Sequence, residues 1–484
     1  DFSHYADYFN GMEDENIVQA IPNAKASEWM EENIPLFECP QHNFEEMYYY
    51  RWWSLRKHIK ETPVGYGMTE FLVQRSYSDK YNLIACAIGH HIYESRWLRD
   101  PKYLDQIIHT WYRGNDGGPM KKMDKFSSWN ADAVLARYMV DGDKDYLLDM
   151  KKDLETEYQR WERTNRLKNG LYWQGDVQDG MEESISGGRR KKYARPTINS
   201  YMYGNAKALS CIGILSGDEG MAMKYGMRAD TLKNLVENEL WNTRHQFFET
   251  MRTDSSANVR EAIGYIPWYF NLPDTTQKYE IAWKEIVDEK GFSAPYGLTT
   301  AERRHPEFRT RGVGKCEWDG AIWPFASAQT LTAMANFMNN YPQTVLSDSV
   351  YFRQMELYVE SQYHRGRPYI GEYLDEVTGY WLKGDQERSR YYNHSTFNDL
   401  IITGLIGLRP RLDNTIEVTP LIPADKWDWF CLDNVLYHGH NLTILWDKNG
   451  DRYHCGKGLR IFVDGKEVGQ ANTLTKIVCE NALK

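Results

Sequence analysis

Two acidic loops, with Glu182 in the first and Glu372 in the second, carry the side chains best suited to chemistry. The first, residues 173–184, reads WQGDVQDGMEES, and the second, residues 371–381, reads GEYLDEVTGYW. Carboxyl groups that pack against indole rings lose water, and this pushes their pKa values apart. Two such groups facing each other across a cleft can serve as acid and base in glycosidic bond hydrolysis. The sequence predicts such a site if the fold brings the two loops together.

Each of these carboxylates also has an ordinary interpretation. Glu182 and Glu183 could be surface charges neutralised by the basic run at residues 189–192. Glu372 could be a turn residue paired with Arg365 or Arg367. The positions of the elements that carry the loops must therefore decide between the two interpretations.

Helical periodicity dominates from about residue 44 to residue 407 and predicts a mainly α fold, with a toroid domain at residues 44–410. Alternate segments are apolar all round or charged on one side, as expected for the inner and outer layers of an (α/α)6 toroid of six helical hairpins. The predicted helices are 44–59, 81–98, 102–113, 126–139, 143–164, 197–214, 217–240, 260–269, 276–286, 318–338, 344–362 and 394–407.

The order of these helices brings the unusual loops together. Every loop that leads from an outer helix into the next inner helix must lie at the same end of a toroid. Both acidic loops belong to this set, which comprises residues 62–80, 114–128, 165–196, 242–259, 287–317 and 363–393. The predicted toroid therefore makes a shared site plausible.

The two ends of the chain differ from the helical region. Residues 411–484 alternate apolar and polar positions and contain the turn sequences Asn449-Gly450 and Asp464-Gly465, which predict a small antiparallel β-sandwich domain. Its histidines, at 438, 440 and 454, are interpreted as structural, because no acidic partner accompanies them. Residues 1–43 are predicted to be an irregular segment that wraps the toroid.

Composition limits the partners and the setting of the protein. The net charge of −10 argues against nucleic acid, and no apolar run is long enough for a membrane span. The seven cysteines are widely spaced without a CxxC pair, so neither a disulfide framework nor a metal site is expected. The start at Asp1 is interpreted as a trimmed mature end, which predicts a periplasmic or secreted protein with a cytoplasmic location not excluded.

Aromatic residues are abundant, with 17 Trp, 34 Tyr and 17 Phe, and many stand beside short polar residues at loop ends. A ring face with adjacent hydrogen-bonding groups suits a sugar. The predicted substrate-binding residues are Trp129, Asn130, Asp132, Trp173, Asp176, Asn199, Trp318, Asp319, Trp323, Trp381, Asn393 and His394. Helix capping is the competing interpretation for Asp319.

The second acidic loop resembles a known family. Its stretch from Glu372 to Gly379 is similar to the E-N-Y-(N/D)-x-x-T-G stretch of glycoside hydrolase family 63 and its mannosylglycerate-hydrolase-like relatives, in which this Glu is the general base. Residues 318–324 resemble the family's W-R-G-P-(I/V)-W-P segment, with Asp319 in place of Arg. The resemblance covers about residues 37–408, extends to uncharacterised glycosidases of gut Bacteroides type, and implies an (α/α)6 toroid.

The first loop resembles the family less closely. Residues 179–184 are similar to the family's S-G-(M/W)-D-x-S segment, whose Asp is the general acid, and Glu182 stands at that position. Glu has one methylene more than Asp, so its reach differs. Asp179 is the competing candidate for the acid.

Together these features predict an exo-acting, inverting glycoside hydrolase for α-linked sugars of glucoside or mannoside type. The catalytic candidates are Glu182 as acid, with Asp179 as its competitor, and Glu372 as base; no cofactor is required. One alternative is a polysaccharide lyase that uses Tyr391 or Tyr392 with Asn393 and His394, which predicts a basic cleft. The other is a sugar-binding protein without catalysis.

Overall fold

The computed structural model describes residues 2–276 and 278–484 and contains a closed ring of inner helices. Each inner helix contacts the next along the chain, and the last contacts the first. The inner helices are Ile88–Ser95, Asn130–Asp141, Pro196–Ser216, Ile266–Tyr269, Pro324–Asn340 and Asn398–Leu400, the last continued by a π-helix at Ile401–Ile406. The predicted toroid is confirmed.

The outer layer consists of the helices that alternate with the inner ones. Lys102–Arg113 is the most amphipathic, with Tyr103, Leu104, Ile107 and Ile108 buried and its charged residues outside. The other outer helices are His42–Lys57, Lys144–Asp149, Lys151–Asn165, Glu219–Leu235 with a π-helical end at Val236–Leu240, the 3-10 helix Glu280–Ile286, and Asp348–Ser361.

Several inner helices begin later than the sequence predicts, and the residues left out belong to the loop end. The helix predicted at 318–338 begins at Pro324, because proline is favoured in the first helical turn, where its missing N–H costs nothing. The helix predicted at 81–98 is regular only over Ile88–Ser95, since Tyr81 and Asn82 have φ values of 64° and 63°. The delayed starts leave irregular chain above the inner ring.

Short β-hairpins stiffen the loops at this end. They follow the outer helices and pair Ile59–Thr62 with Gly65–Met68, Trp173–Gln174 with Tyr193–Ala194, Trp241–Asn242 with Phe247–Phe248, Ser293–Ala294 with Gly297–Leu298, and Tyr363–His364 with Arg367–Pro368. The sequence did not predict them, because strands of two to four residues are too short to show a clear alternation. They give the long loops defined shapes.

The C-terminal region forms the predicted antiparallel β structure. Its main sheet contains Trp429–Tyr437, His440–Asp447, Gly458–Val463 and Lys466–Ala471, and a separate pair joins Ile416–Val418 to Ile477–Cys479. His438 donates to the carbonyl of Met139 at 2.8 Å, near the C-terminal end of an inner helix. The β region therefore packs on the end of the toroid opposite the loops.

The N-terminal segment is not irregular, which corrects the prediction for residues 1–43. It contains helices Ser3–Asn10 and Ala26–Asn33, and its strand Leu36–Glu38 pairs antiparallel with Trp429–Tyr437 as an edge of the main sheet. The strand is only three residues long, too short to show alternation in the sequence. The segment thus links the toroid to the β region.

Two further properties concern the described part of the chain. All the cysteines at 39, 86, 211, 316, 431, 455 and 479 are free thiols. Among residues 2–276 and 278–484, none of the helices combines the length and apolar character that crossing a bilayer requires.

The junction between toroid and β region allows a stability test. Gly407 has φ 87°, and a Cβ there would stand 1.9 Å from the carbonyl oxygen of Thr419, whereas Gly465 has φ 81° with open space around it. A left-handed conformation alone costs a non-glycine residue roughly 1–2 kcal/mol. We expect Gly407→Ala to lower the midpoint of thermal unfolding well below that of Gly465→Ala in calorimetry. Equal midpoints would show that the junction yields without cost.

Candidate active site

A cavity of about 380 Å3 lies at the loop end of the toroid. Its walls come from the loops before the inner helices, including both acidic loops. The carboxyl groups of Glu70, Glu182 and Glu372 line it, together with Arg75, Tyr77, Ile84, Cys86, Lys125, Phe126, Val177, Gly180, Cys316, Trp323, Phe325, Lys383, Arg388, Tyr392 and His394. The fold thus brings one carboxyl group from each acidic loop to the same space.

Glu182 reaches the cavity because its loop turns sharply. Gly180 has φ 72°, and the N–H of Met181 donates back to the carbonyl of Asp176 at 2.9 Å. Burial, with the nearby charges of Glu372 and Asp176, raises the pKa of Glu182 to about 7. Within the described residues Glu182 forms no ion pair. Its environment therefore favours the protonated form near neutral pH.

Glu372 is buried, whereas Glu182 is half-buried, and Glu372 has cationic partners. Lys383 Nζ lies 3.3 Å and Arg388 Nη1 3.7 Å from Oε2, and Cys316 Sγ lies 4.0 Å from Oε1. The residue before it must be glycine, since a Cβ on Gly371 would stand 2.7 Å from the ring of Tyr369. Glu372 thus has two cations beside its carboxyl group, whereas Glu182 has none within 4.0 Å in the described part of the chain.

Glu70 is the further carboxyl group of the cavity. It follows strand Gly65–Met68, and its carbonyl accepts from the N–H of Asn393 at 3.0 Å. The Sγ of Cys86 lies 3.5 Å and 3.7 Å from the two carboxyl oxygens. Burial is the main cause that raises the pKa of Glu70 to about 8.

Asp179 does not line this cavity. Its carboxylate is fully buried and paired with Arg195, with Nε 2.7 Å from Oδ2. The hydroxyl groups of Ser127 and Thr197 donate to it as well. Asp179 is thus enclosed by donors, and Glu182 is the member of its loop that faces open space.

Comparison with known proteins is consistent with this geometry. A family model described as the mannosylglycerate hydrolase MGH1-like glycoside hydrolase domain matches residues 80–395. The chain belongs to this family. A second model, the C-terminal domain of glycosyl hydrolase family 65, matches residues 408–469.

Solved structures also resemble the chain. One, named "Sialidase", is 95% identical with a TM-score of 0.99 and covers 100% of this chain, which spans 44% of that protein. A GH63 mannosylglycerate hydrolase from Thermus thermophilus, in complex with Tris, has 12% identity and a TM-score of 0.55 over 72% of this chain and 98% of its own. A GH78 family rhamnosidase of Bacillus sp. GL1 has 10% identity and a TM-score of 0.61 over 89% of this chain and 41% of its own. The last two show a shared fold.

Two of the predicted binding residues, Trp323 and His394, line this cavity. Trp323 is stacked between Trp318 and Tyr373, with ring centroids 4.5 Å apart on each side. Trp318, also predicted to bind sugar, therefore lies behind Trp323 and supports it. Asn393 is likewise one layer back, since its side chain donates to the carbonyl of Thr69 at 3.0 Å.

Other predicted residues hold the loops around the cavity in place. Asp319 accepts the backbone N–H groups of Arg311 and Gly312 at 2.6 Å and 2.9 Å, so it binds a loop and does not cap the helix that begins at Pro324. Asn199 accepts from the N–H of Tyr172 at 2.8 Å. Trp381 donates to the carbonyl of Tyr363 at 3.1 Å. Asp176 is buried, and its backbone carbonyl accepts from the N–H of Met181. These residues shape the site without lining it.

The segment around Trp129 lies below the site. Trp129 is fully buried and packs against Tyr201, with ring centroids 4.9 Å apart. Asn130 donates to Glu157 at 2.8 Å. Asp132 accepts from Tyr93 and lines a separate cavity of about 360 Å3 towards the opposite end of the toroid. These residues stand at the start of an inner helix, and the helix directs their side chains away from the loop end. Their position in the sequence, next to a loop, did not reveal this direction.

Trp173 lies beside the active cavity in a neighbouring one. The Nζ of Lys192 stands 4.8 Å from the centre of its ring, and both residues line a basic cavity of about 450 Å3. Lys125 lines both cavities. The basic residues 189–192 contribute little to neutralising the first acidic loop, since Arg189 lies 3.8 Å from the carboxylate of Glu183.

Several lining residues were missed by sequence reasoning, above all Glu70, Arg75, Lys383 and Arg388. Glu70 and Arg75 lie in the loop 62–80, one of the six loops predicted at this end. Their place in this loop was the only feature of the sequence that pointed to the site, because single charged residues in loops are most often solvated.

The enclosed pair of Asp179 gives a second prediction. Asp179→Asn removes the charge opposite Arg195 and leaves a buried cation, which costs roughly 3–5 kcal/mol when one partner of a buried pair is lost. We expect a large fall in the midpoint of thermal unfolding and no such fall for the exposed Asp254→Asn. An Asp179→Asn protein of unchanged stability that has lost all glycosidase activity would instead assign Asp179 to the chemistry.

Proposed function

We propose that this chain is an exo-acting, inverting glycosidase for α-linked oligosaccharides or glycosides. Glu182 protonates the leaving oxygen, and Glu372 removes a proton from the water that attacks the anomeric carbon from the opposite face. The observation that carries the proposal is the pair of unlike carboxyl groups in one cavity: burial raises the pKa of Glu182, whereas Glu372 forms ion pairs with Lys383 and Arg388. Such a contrast separates acid from base.

The dimensions and walls of the cavity support action on a terminal sugar. Its volume, about 380 Å3, is near the lower end of the roughly 300–1,000 Å3 that small-molecule sites occupy. Trp323 offers an apolar wall, while Glu70, Tyr392 and His394 offer polar groups. The 95% identical protein is more than twice as long as this chain, so its name does not decide the substrate.

The roles of the two carboxyl groups predict different kinetic effects. General acid and base groups typically contribute roughly 10²–10⁴-fold to the rate. We expect Glu372→Gln to lower kcat by that factor on every substrate. Glu182→Gln should do so on alkyl glycosides but much less on dinitrophenyl glycosides, whose leaving group needs no proton.

The measurement is a steady-state assay over α- and β-linked aryl and alkyl glycosides of hexoses, pentoses and deoxy sugars. Glu183→Gln is the matched control, since this neighbour points to Arg189 and Lys315 outside the cavity. Full activity of Glu372→Gln, or equal losses for Glu182→Gln on both leaving groups, would contradict the assignment.

The pH dependence follows from the pKa of Glu182. Burial raises that pKa to about 7. Because the acid must be protonated, the activity that depends on it is present below this value and is lost as the pH rises through it. We expect the alkaline limb of kcat/KM to lie near pH 7 in the wild-type profile and to disappear in Glu182→Gln on dinitrophenyl substrates. A limb that persists near pH 7 in that variant would assign it to another group.

The lyase alternative receives support from one feature, the cations Arg75, Lys125, Lys383 and Arg388 around the cavity. Its proposed base is poorly placed, however. The hydroxyl of Tyr391 is bonded to Glu13, and burial raises the pKa of Tyr392 well above its ordinary value. Membership of a glycoside hydrolase family also favours hydrolysis. Products that absorb in the ultraviolet would reverse this preference.

A further inference from the structure

We propose that Glu70 is a third functional carboxyl group of this site, which binds the sugar as a neutral carboxylic acid and donates a hydrogen bond to one of its hydroxyl groups. This inference rests on the proposed function and adds a substrate-binding residue to it. Glu70 lies before residue 80, where the family model begins. Its role is therefore inferred from the geometry of the site itself.

The position of Glu70 is fixed from the backbone. Asn393 donates its backbone N–H to the carbonyl of Glu70 and its side-chain amide to the carbonyl of Thr69, both at 3.0 Å. Glu70 is only 4% exposed, and its side chain lines the cavity shared with Glu182 and Glu372. A carboxyl group so anchored faces the space where the sugar must lie.

The carboxyl group also lacks the partners that a buried charge requires. Its hydrogen-bonding neighbour is the weakly polar thiol of Cys86. His394 Nδ1 lies 3.9 Å away, but burial lowers the pKa of His394 well below its ordinary value, so the ring is neutral. Within the described residues no Lys or Arg nitrogen lies within 4.0 Å of Glu70. This contrasts with Glu372, which has two cations.

The other groups around the cavity reinforce the neutral form. Burial, and then the carboxyl groups of Glu372 and Glu182, raise the pKa of Glu70 to about 8, against a lowering by Cys86. Arg75 of the same loop lies over the rings of Phe71 and Tyr77, with 5.4 Å from its guanidinium carbon to each centroid. The remaining titratable groups facing the cavity are Lys125, Cys316, Lys383, Arg388 and Tyr392.

A neutral carboxyl group suits a sugar better than a second carboxylate would. It has one O–H donor and can still accept, so it can bridge two neighbouring hydroxyl groups. A carboxylate at Glu70 would stabilise positive charge on the sugar in the transition state. It would also repel the carboxylate of Glu372, and this repulsion opposes the charged form of Glu70.

Substitution at Glu70 separates the neutral from the charged form. Gln resembles the protonated acid in shape and can donate, so Glu70→Gln should keep kcat and KM within about threefold of wild type at pH 6. Glu70→Ala removes a hydrogen bond to a substrate hydroxyl and should raise KM about tenfold, the effect of a lost bond of roughly 1.4 kcal/mol. The matched control is Glu61→Gln, an exposed residue of the preceding hairpin. The probe is the aryl glycoside that wild type cleaves fastest.

The pH profile gives a signature that a merely structural role would not produce. Loss of the Glu182 proton stops the reaction, so log kcat/KM of the wild type falls with slope −1 above the pKa of Glu182, whereas loss of the Glu70 proton removes one hydrogen-bond donor and adds a further fall of about tenfold above the pKa of Glu70. Glu70→Gln should fall with slope −1 throughout. A loss of more than tenfold in Glu70→Gln at pH 6, or unchanged KM in Glu70→Ala, would overturn the inference.

The outcomes distinguish this inference from the proposed function. If Glu70→Gln were inactive and Glu182→Gln active, Glu70 would be the general acid. This result would overturn the role of Glu182 as acid and the role of Glu70 as a hydrogen-bond donor. Activity in every carboxyl variant would overturn the hydrolytic mechanism itself. A readout without substrate is the carboxyl 13C NMR titration of protein labelled at Glu. The signal lost in Glu70→Gln should titrate above pH 7, and titration below pH 5 would overturn the inference even if Glu70→Ala failed to fold.

Discussion

The buried ion pair between Asp179 and Arg195 is the interaction on which the geometry of the site depends. Arg195 directly precedes the inner helix Pro196–Ser216, Thr197 lies in its first turn, and Ser127 precedes the inner helix Asn130–Asp141. All of them donate to Asp179. The first acidic loop is thereby tied to the starts of two neighbouring inner helices. Glu182, three residues later, can then be held in the cavity without a cation of its own.

This arrangement explains how one loop can carry a carboxylate for structure and a carboxyl group for chemistry. A charge with several donors can be fully buried, because the donors replace the lost water. A carboxyl group without them becomes neutral instead when it is buried. Asp179 is an example of the first case, and Glu182 and Glu70 are examples of the second. The cavity thus contains proton donors near neutral pH although the protein as a whole is acidic.

The sequence predicted the toroid because inner and outer helices differ in their apolar pattern, and loop order then placed Glu182 and Glu372 at one end. It did not locate helix starts such as Pro324, so Trp318 was assigned to the pocket although it lies behind Trp323. Asp132 was misplaced because its direction depends on helical phase, which the sequence leaves open by a residue or two. Glu70 gave no local pattern, since its burial arises from Asn393 and Cys86, distant in the sequence.

The proposed mechanism requires Glu182 and Glu372 to act across one cavity as acid and base, with a water molecule between Glu372 and the sugar. Inverting enzymes hold the two groups roughly 6.5–9.5 Å apart for that water, whereas retaining enzymes hold them at about 5 Å. The most direct measurement is proton NMR of the first sugar released from an α-glycoside, recorded before mutarotation. We predict the β-anomer as the first product. Initial release of the α-anomer would contradict this mechanism and would require a covalent intermediate.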